Sequence, residues 1–219
     1  MVFIPSYIEQ FAYTYKDTES HTRWFCVFFD TFLPEGREDM MKYFKKIVGE
    51  RVYLSPINSE DCLKYVEWLN DFETAKYIAQ YSKILTIEKE EEWISKKTDN
   101  EYTFGIILKD CDKLIGNISL VNIKDIDKTA ELGIFIGDKD YLSKGYGSEA
   151  IMLLLDYGFN YLNLNNIMLR ALAFNERAIK AYQKCGFKIF GTWKEAIYFN
   201  GEYVDEVYMN ILKKNFNKK

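Results

Sequence analysis

Residues 141–150, Tyr-Leu-Ser-Lys-Gly-Tyr-Gly-Ser-Glu-Ala, place Gly145 and Gly147 one residue apart, directly before an apolar pattern of helical period. Ile151, Leu154, Leu155, Gly158 and Leu162 recur at three- and four-residue spacing, so residues 147–161 are expected to form a helix with one face on a sheet. Before the loop, residues 130–137 (Ala-Glu-Leu-Gly-Ile-Phe-Ile-Gly) read as a strand, and residues 166–173 read as another after the helix. The order is β–loop–α–β, with a glycine-rich turn where the first strand passes to the helix. Glycine carries no Cβ, so backbone N–H groups in such a turn approach a ligand closely. At a helix start they also meet the positive end of the dipole, and the natural guest is a phosphate or pyrophosphate. Taken alone, a glycine-rich turn is more often a plain connection. The flanking order gives this one its weight. It is not the dinucleotide fingerprint, because a third glycine and an acidic residue at the end of the next strand are both missing.

A second segment follows about thirty residues on: Asn175-Glu176-Arg177-Ala178-Ile179-Lys180-Ala181-Tyr182-Gln183-Lys184-Cys185-Gly186-Phe187. Asn175 suits a helix N-cap and Gly186 a helix end. Ala178, Ile179 and Tyr182 share one face between them. This pair of segments resembles the GNAT superfamily of acetyl-CoA-dependent N-acetyltransferases, and within it the branch of the ribosomal-protein N-terminal and spermidine acetyltransferases. The resemblance runs roughly from Arg51 to Leu212. It includes Arg51-Val52-Tyr53-Leu54, Trp68-Leu69-Asn70-Asp71, Gly191-Thr192-Trp193-Lys194-Glu195, and Asn200-Gly201-Glu202-Tyr203-Val204-Asp205. One position departs from the family pattern: Leu142 stands where an Arg or Gln usually opens the loop.

The resemblance implies an α/β fold of the α+β kind, a central, mostly antiparallel twisted sheet flanked by helices. It also implies acetyl-CoA as cosubstrate and a primary amine as acceptor. The pyrophosphate would lie on Leu142, Ser143, Lys144, Gly145, Tyr146, Gly147 and Ser148. The pantetheine arm would lie beside Asn175 and the backbone of Ile134, Phe135 and Ile136, whose N–H groups are also the oxyanion donors. Attack on the thioester needs a deprotonated amine, a donor to the oxyanion and a proton or electrostatic relief for the leaving thiolate. Tyr182 occupies the position of the family's tyrosine acid. With an unperturbed pKa near ~10 it would be protonated at neutral pH; a core tyrosine is the plainer reading. Glu131 is the candidate base, directly or through water, with a salt-bridged strand glutamate as the alternative. Glu195, Asp205 and Asp71 are candidates for gripping the amine, and each also reads as an ordinary surface charge. Trp68, Phe72 and Tyr77 fall in the region that shapes the acceptor pocket of relatives. The acceptor is a protein N-terminus or a small amine. A catalytically silent acetyl-CoA-binding module is the alternative to an enzyme.

Composition narrows the classes. At 219 residues the chain supports one large domain, or one with an extension. The formal charge of −4 comes without a basic cluster, which speaks against nucleic acid as partner. Cys26, Cys62, Cys111 and Cys185 have neither disulfide-framework nor zinc spacing, so a reducing cytoplasm and no metal are expected. A membrane span and a signal peptide are likewise not expected. With His21 the single histidine, proton transfer falls to carboxylates and tyrosines.

The remaining layout is a strand at 51–57 and a helix capped by Asn58 and Asp61, carrying Leu63, Val66 and Leu69. A second helix, from Thr86 to about 97, has Trp93 and Ile94 inward. Strands at 102–108 and 114–123 join through the polar residues 109–113. Strands at 187–199 and 203–212 turn through Asn200-Gly201. The domain is expected over 51–214. Residues 1–50 form an aromatic-rich extension with two helical stripes, Phe3/Tyr7/Phe11 and Met40/Met41/Phe44/Ile47/Val48. It reads as an arm on the core, as the partner surface of a homodimer, or as a wall of the amine pocket.

Overall fold

The structure is a computed structural model and describes residues 42–78, 82–96 and 101–216. All of these fall in the compact unit Met41–Lys219. In chain order the elements are β1 (Ile47–Val48), β2 (Val52–Pro56), α1 (Cys62–Asn70), α2 (Phe72–Ala75), α3 (Ile87–Ser95), β3 (Tyr102–Leu108), β4 (Leu114–Lys124) and β5 (Thr129–Ile136). They continue with α4 (Tyr146–Asp156), β6 (Asn166–Leu172), α5 (Glu176–Lys184), β7 (Lys188–Phe199) and β8 (Glu202–Leu212). Among the described residues the strands make one eight-stranded sheet in the order β1-β2-β3-β4-β5-β6-β8-β7. Every neighbouring pair is antiparallel except β5 and β6, which the α4 crossover joins in parallel. The mixed sheet flanked by helices is the architecture the resemblance implied.

Strand alternation divides the apolar residues between two faces. Leu54, Ile106, Ile118, Leu120, Leu132, Ile167 and Met209 turn toward α4, where Ile151, Leu154, Leu155 and Phe159 close the main core. The expected stripe on that helix is the buried one, and a single π-helical turn, Tyr157–Tyr161, ends it. On the opposite face Tyr53, Ile107 and Leu114 meet Tyr65 and Trp68 of α1 in a smaller, aromatic cluster. The last hairpin turns where expected. Asn200 and Gly201 both have positive φ (49° and 91°), the conformation a tight two-residue connection requires.

Three local expectations are corrected. On α1 the inward residues are Cys62, Tyr65 and Trp68, while Leu63 is 64% exposed. A 3-10 turn, Ser59–Asp61, precedes the helix and sets its phase, so the two large rings take the core side. On α3 Ile94 is partly buried as expected, but Trp93 stands at the rim and Glu90 is the buried residue. Ile47 and Val48 form β1 rather than a helical stripe, pairing with Leu54 and Tyr53. Phe44 is exposed, and Tyr43 is buried in the aromatic cluster with its hydroxyl donating to Asp61 at 2.9 Å. Met40, Met41 and the Phe3/Tyr7/Phe11 stripe lie outside the described residues.

Candidate active site

The sheet opens between β5 and β6. Their pairing runs only from Thr129↔Asn166 to Glu131↔Met168. Beyond it β5 stays on β4 as far as Ile136↔Gly116, while β6 follows β8 to Leu172↔Glu206. Alternate residues of the stretch 132–136 therefore turn N–H and C=O groups toward an unpaired edge. Two aromatic contacts on the other side of β5 fix its end. The Phe135 ring lies 5.9 Å from that of Trp68, and Trp68 also packs on Gly137, where a Cβ would stand 2.1 Å from the indole. Trp68 thus serves packing.

A cleft of about 440 Å³ occupies this opening. Ile134, Phe135 and Ile136 of β5 line it, with Leu142, Ser143, Gly145, Gly147 and Ser148 of the loop, and Asn175 and Tyr182 at α5. These are candidates that the sequence placed far apart. Ser143 and Gly145 have positive φ (60° and 86°), and Gly145 is the N-cap of α4. The left-handed residues curl the chain so that successive N–H groups at the start of α4 face one concavity, an arrangement that suits an anion. At Gly147 an added Cβ would meet only Ile136 and Ile134, at ordinary contact distances of 3.6 and 3.7 Å. The space before Gly147 is therefore open on the cleft side.

Lys144 and Tyr146 brace the loop from behind and do not line the cleft. The carbonyl of Lys144 accepts from Nη1 of Arg51 at 3.0 Å, and the Arg51 guanidinium stacks 4.6 Å from the Tyr146 ring centre. Nε of Arg51 donates to Oε2 of Glu149 at 3.0 Å, and the backbone N–H groups of Arg51 and Val52 donate to Oε1. Burial raises the Glu149 pKa, but those hydrogen bonds and the guanidinium outweigh it, leaving the carboxyl below its usual range. In the sequence Arg51 shows only as the start of a strand. Its partner loop lies more than ninety residues away, and one sequence carries no signal for that contact.

Asn175 caps α5, its Oδ1 accepting from the Ala178 N–H at 3.2 Å. Tyr182 lies two turns further along, its ring 6.2 Å from Phe187. Burial, with the Cys185 thiol adding and Arg177 opposing, pushes its pKa up to about 12. The hydroxyl is a donor throughout the neutral range.

The structure does not bring Glu131 to this cleft. It stands at the last β5–β6 pair, opposite Met168, and is not among the residues that line the opening beyond it. Its carboxylate accepts from Nε of Arg170 at 2.7 Å and from Nδ2 of Asn122 at 3.1 Å, and it lines a different cavity with Asn166 and Asn210. Asp205 and Glu195 also lie elsewhere, on the closing hairpin. Asp205 accepts from Nζ of Lys194 at 2.7 Å and from the Glu195 N–H at 3.0 Å, and the Lys194 bond holds its carboxyl below the usual range. Glu195 has φ +52° at the irregularity between Trp193 and Ile197, where the bond to Asp205 secures the backbone. Asp71 sits one residue behind the cleft wall, paired with Lys139 and accepting from Thr74 at 2.7 Å, which depresses its pKa. Glu73, Thr74, Tyr77, Lys139 and Arg177 line the cleft. Of these only Tyr77 stood out in the sequence.

Among the described residues no helix is long and apolar enough to cross a membrane, and no group of three or more His, Cys, Asp or Glu is placed to hold a metal ion. Residues 51–188 match the family model of the acetyltransferase (GNAT) domain. The chain is 31% identical over 172 residues to the uncharacterized N-acetyltransferase YnaD of Bacillus subtilis, covering 78% of this chain and 99% of that one. It is 30% identical over 166 residues to the spermidine N(1)-acetyltransferase of Escherichia coli K12, covering 75% and 88%. Spermidine N-acetyltransferase of Vibrio cholerae, solved with CoA and spermine, superimposes with a TM-score of 0.70 at 27% identity over 76% of this chain and 98% of that one. With the loop, the capped α5 and the opened strand pair in place, the chain belongs to the GNAT family of N-acetyltransferases, enzymes that transfer an acetyl group to an amine.

Proposed function

We propose that the chain moves an acetyl group from acetyl-CoA directly to a primary amine in the cleft between β5 and β6. The observation that carries this is the convergence on one cleft of the α4 N-terminal loop, the unpaired edge of β5 and the Tyr182 helix. The pyrophosphate takes the N–H groups of Ser143, Gly145, Gly147 and Ser148, and the pantetheine amides complete the hydrogen bonding of the β5 edge. The neutral amine nitrogen attacks the thioester carbon, and N–H groups at Ile134–Ile136 stabilise the oxyanion. As the intermediate collapses, the C–S bond breaks and the Tyr182 hydroxyl gives its proton to the departing sulfur. The amine's own proton passes to water, since Glu131 is engaged with Arg170 outside the cleft.

Replacing Gly147 by Leu tests the cofactor assignment. The protein has room for the first carbon of the new side chain, so the change places bulk where the pyrophosphate would lie without forcing the backbone. Calorimetry should show acetyl-CoA affinity reduced by about 100-fold, the loss of a few well-placed hydrogen bonds. Unchanged affinity in the folded variant would move the cofactor elsewhere. The same reading calls for neither metal nor histidine. Chelator treatment and His21→Gln, at a position outside the described residues, should leave turnover intact; activity restored by zinc would count against it. A cytoplasmic location fits the described cysteines, Cys62, Cys111 and Cys185, which are free thiols. A homodimer belongs to the proposal as well, and light scattering decides it.

A further inference from the structure

Two of the acids expected to hold a cationic acceptor already have cationic partners, Asp71 with Lys139 and Asp205 with Lys194 at 2.7 Å, and Glu195 lies with Asp205 on the closing hairpin away from the cleft. Glu73, which does line the cleft, pairs with Lys76. Glu73 is the one carboxylate among the described residues lining the cleft, against the two cations Lys139 and Arg177. Counting Asp71 and Lys76 just behind, two carboxylates face three cations. Tyr77, on the same wall, is also in use, with the Arg177 guanidinium 5.4 Å and the Lys76 ammonium 5.2 Å from its ring centre. A ring already holding two cations offers little cation–π attraction to a third. An aliphatic polycation therefore finds no net negative charge here, and its desolvation would go uncompensated.

Apolar surface is what this wall does provide. The Phe174 ring lies 6.2 Å from Tyr77, the Phe199 ring 5.0 Å from Phe174, and the Phe72 ring stacks on Phe199 at 6.4 Å. Tyr77 lines the cleft, and the other three rings follow it in a chain of contacts from the residue before the α5 cap, the end of β7 and the α2 segment next to Glu73. Phe72 and Phe174 remain 52% and 39% exposed. Their line continues from the cleft wall at Tyr77, so an amine reaching the thioester would carry its remaining atoms across them. Resting on the reading of the cleft given above, we propose that Phe72, Tyr77, Phe174 and Phe199 form the acceptor subsite. It takes a primary amine with a single positive charge beside an apolar or aromatic group, in preference to an aliphatic polyamine.

The test measures CoA release by the full chain with four acceptors: phenethylamine, a short peptide amide with N-terminal Phe, ethanolamine and spermidine. The first two share the recognised chemistry, and whichever is faster separates a small-molecule source from a peptide one. Each buried ring is worth roughly a kcal/mol or more, so the better aromatic amine should exceed spermidine and ethanolamine in kcat/KM by about tenfold or more. Phe174→Ala should raise its KM by about tenfold and leave acetyl-CoA affinity unchanged. Phe174→Leu, which keeps volume without the ring, covers the case in which the alanine variant fails to fold. Spermidine preferred over both aromatic acceptors, or Phe174 variants with unchanged KM, would overturn the subsite and leave amine acetylation standing. Failure with every amine, spermidine included, would overturn the parent reading and the subsite with it.

Discussion

Two titratable side chains, Tyr182 partly buried at the cleft and Glu90 buried on α3, illustrate how position sets chemistry in this protein. Tyr182 was legible through the family resemblance, which puts a tyrosine acid on the helix after Asn175; the face it shares with Ala178 and Ile179 by itself reads as core. The structure adds that burial raises its pKa to about 12, so the hydroxyl stays protonated well above neutral pH. If it protonates the thiolate, Tyr182→Phe removes an interaction made only in the transition state. Turnover should fall by roughly 10²–10³ with acetyl-CoA affinity little changed. A merely structural tyrosine would shift the melting temperature instead, and near-normal turnover would leave the thiolate to water. Glu90 was not legible, because a run of acids on a helix reads as a solvated face. It is 4% exposed, and burial raises its pKa. A carboxyl whose pKa is higher folded than unfolded binds its proton more tightly in the native state. Its ionised form therefore costs stability at neutral pH, and the cost disappears as pH falls toward the unfolded value near ~4.3. Glu90→Gln should raise stability at pH 7 by about 1 kcal/mol, or roughly 2–4 °C in Tm. That gain should shrink as the pH is lowered; a gain independent of pH, or a loss, would mean that Glu90 is solvated or paired.

At the scale of elements, local patterns were readable and long-range ones were not. The glycine loop, α4, the Asn175 cap and the closing hairpin each declare themselves within a dozen residues, through φ requirements and apolar period. The splay of β5 from β6 depends on where two distant strands stop pairing, and that hid the reason Glu131 misses the cleft. The Arg51 brace is similarly non-local. Glu149 lies in the first turn of the helix that would take the pyrophosphate, where an unneutralised carboxylate would oppose the incoming charge. Arg51 neutralises it and fixes the Lys144 carbonyl, and so holds the loop open for the ligand. Arg51→Ala should raise the KM for acetyl-CoA by about tenfold, the effect of one charge-assisted contact. Acetyl-pantetheine, which lacks the pyrophosphate, should be used equally well by both proteins. An equal loss with both donors would reduce Arg51 to a general stabiliser of the fold.

For the whole molecule, the question is where the working unit begins. The family resemblance, which starts at Arg51, implies a boundary at residue 50, and aromatics crowd the stretch before it. The compact unit instead starts at Met41. Three observations between residues 42 and 50 show what the shorter boundary would remove. Tyr43 is 6% exposed in the aromatic cluster beneath α1. Asp61, itself buried, depends on the Tyr43 hydroxyl and on Nζ of Lys42 at 2.7 Å. β1 covers the outer edge of β2. None of these residues has a distinctive motif, and the sheet accepts them because β2 would otherwise present an unpaired edge. Two truncated chains separate the boundaries. Residues 41–219 should melt cooperatively and bind acetyl-CoA with the affinity of the full chain. Residues 51–219 lose a buried aromatic side chain and leave Asp61 without its partners, at a cost of about 3 kcal/mol or more. For a unit of this size that lowers Tm by roughly 6–12 °C. Equal melting temperatures for the two chains would return the boundary to Arg51. A 41–219 chain that fails to fold would instead show that the catalytic unit draws on residues 1–40.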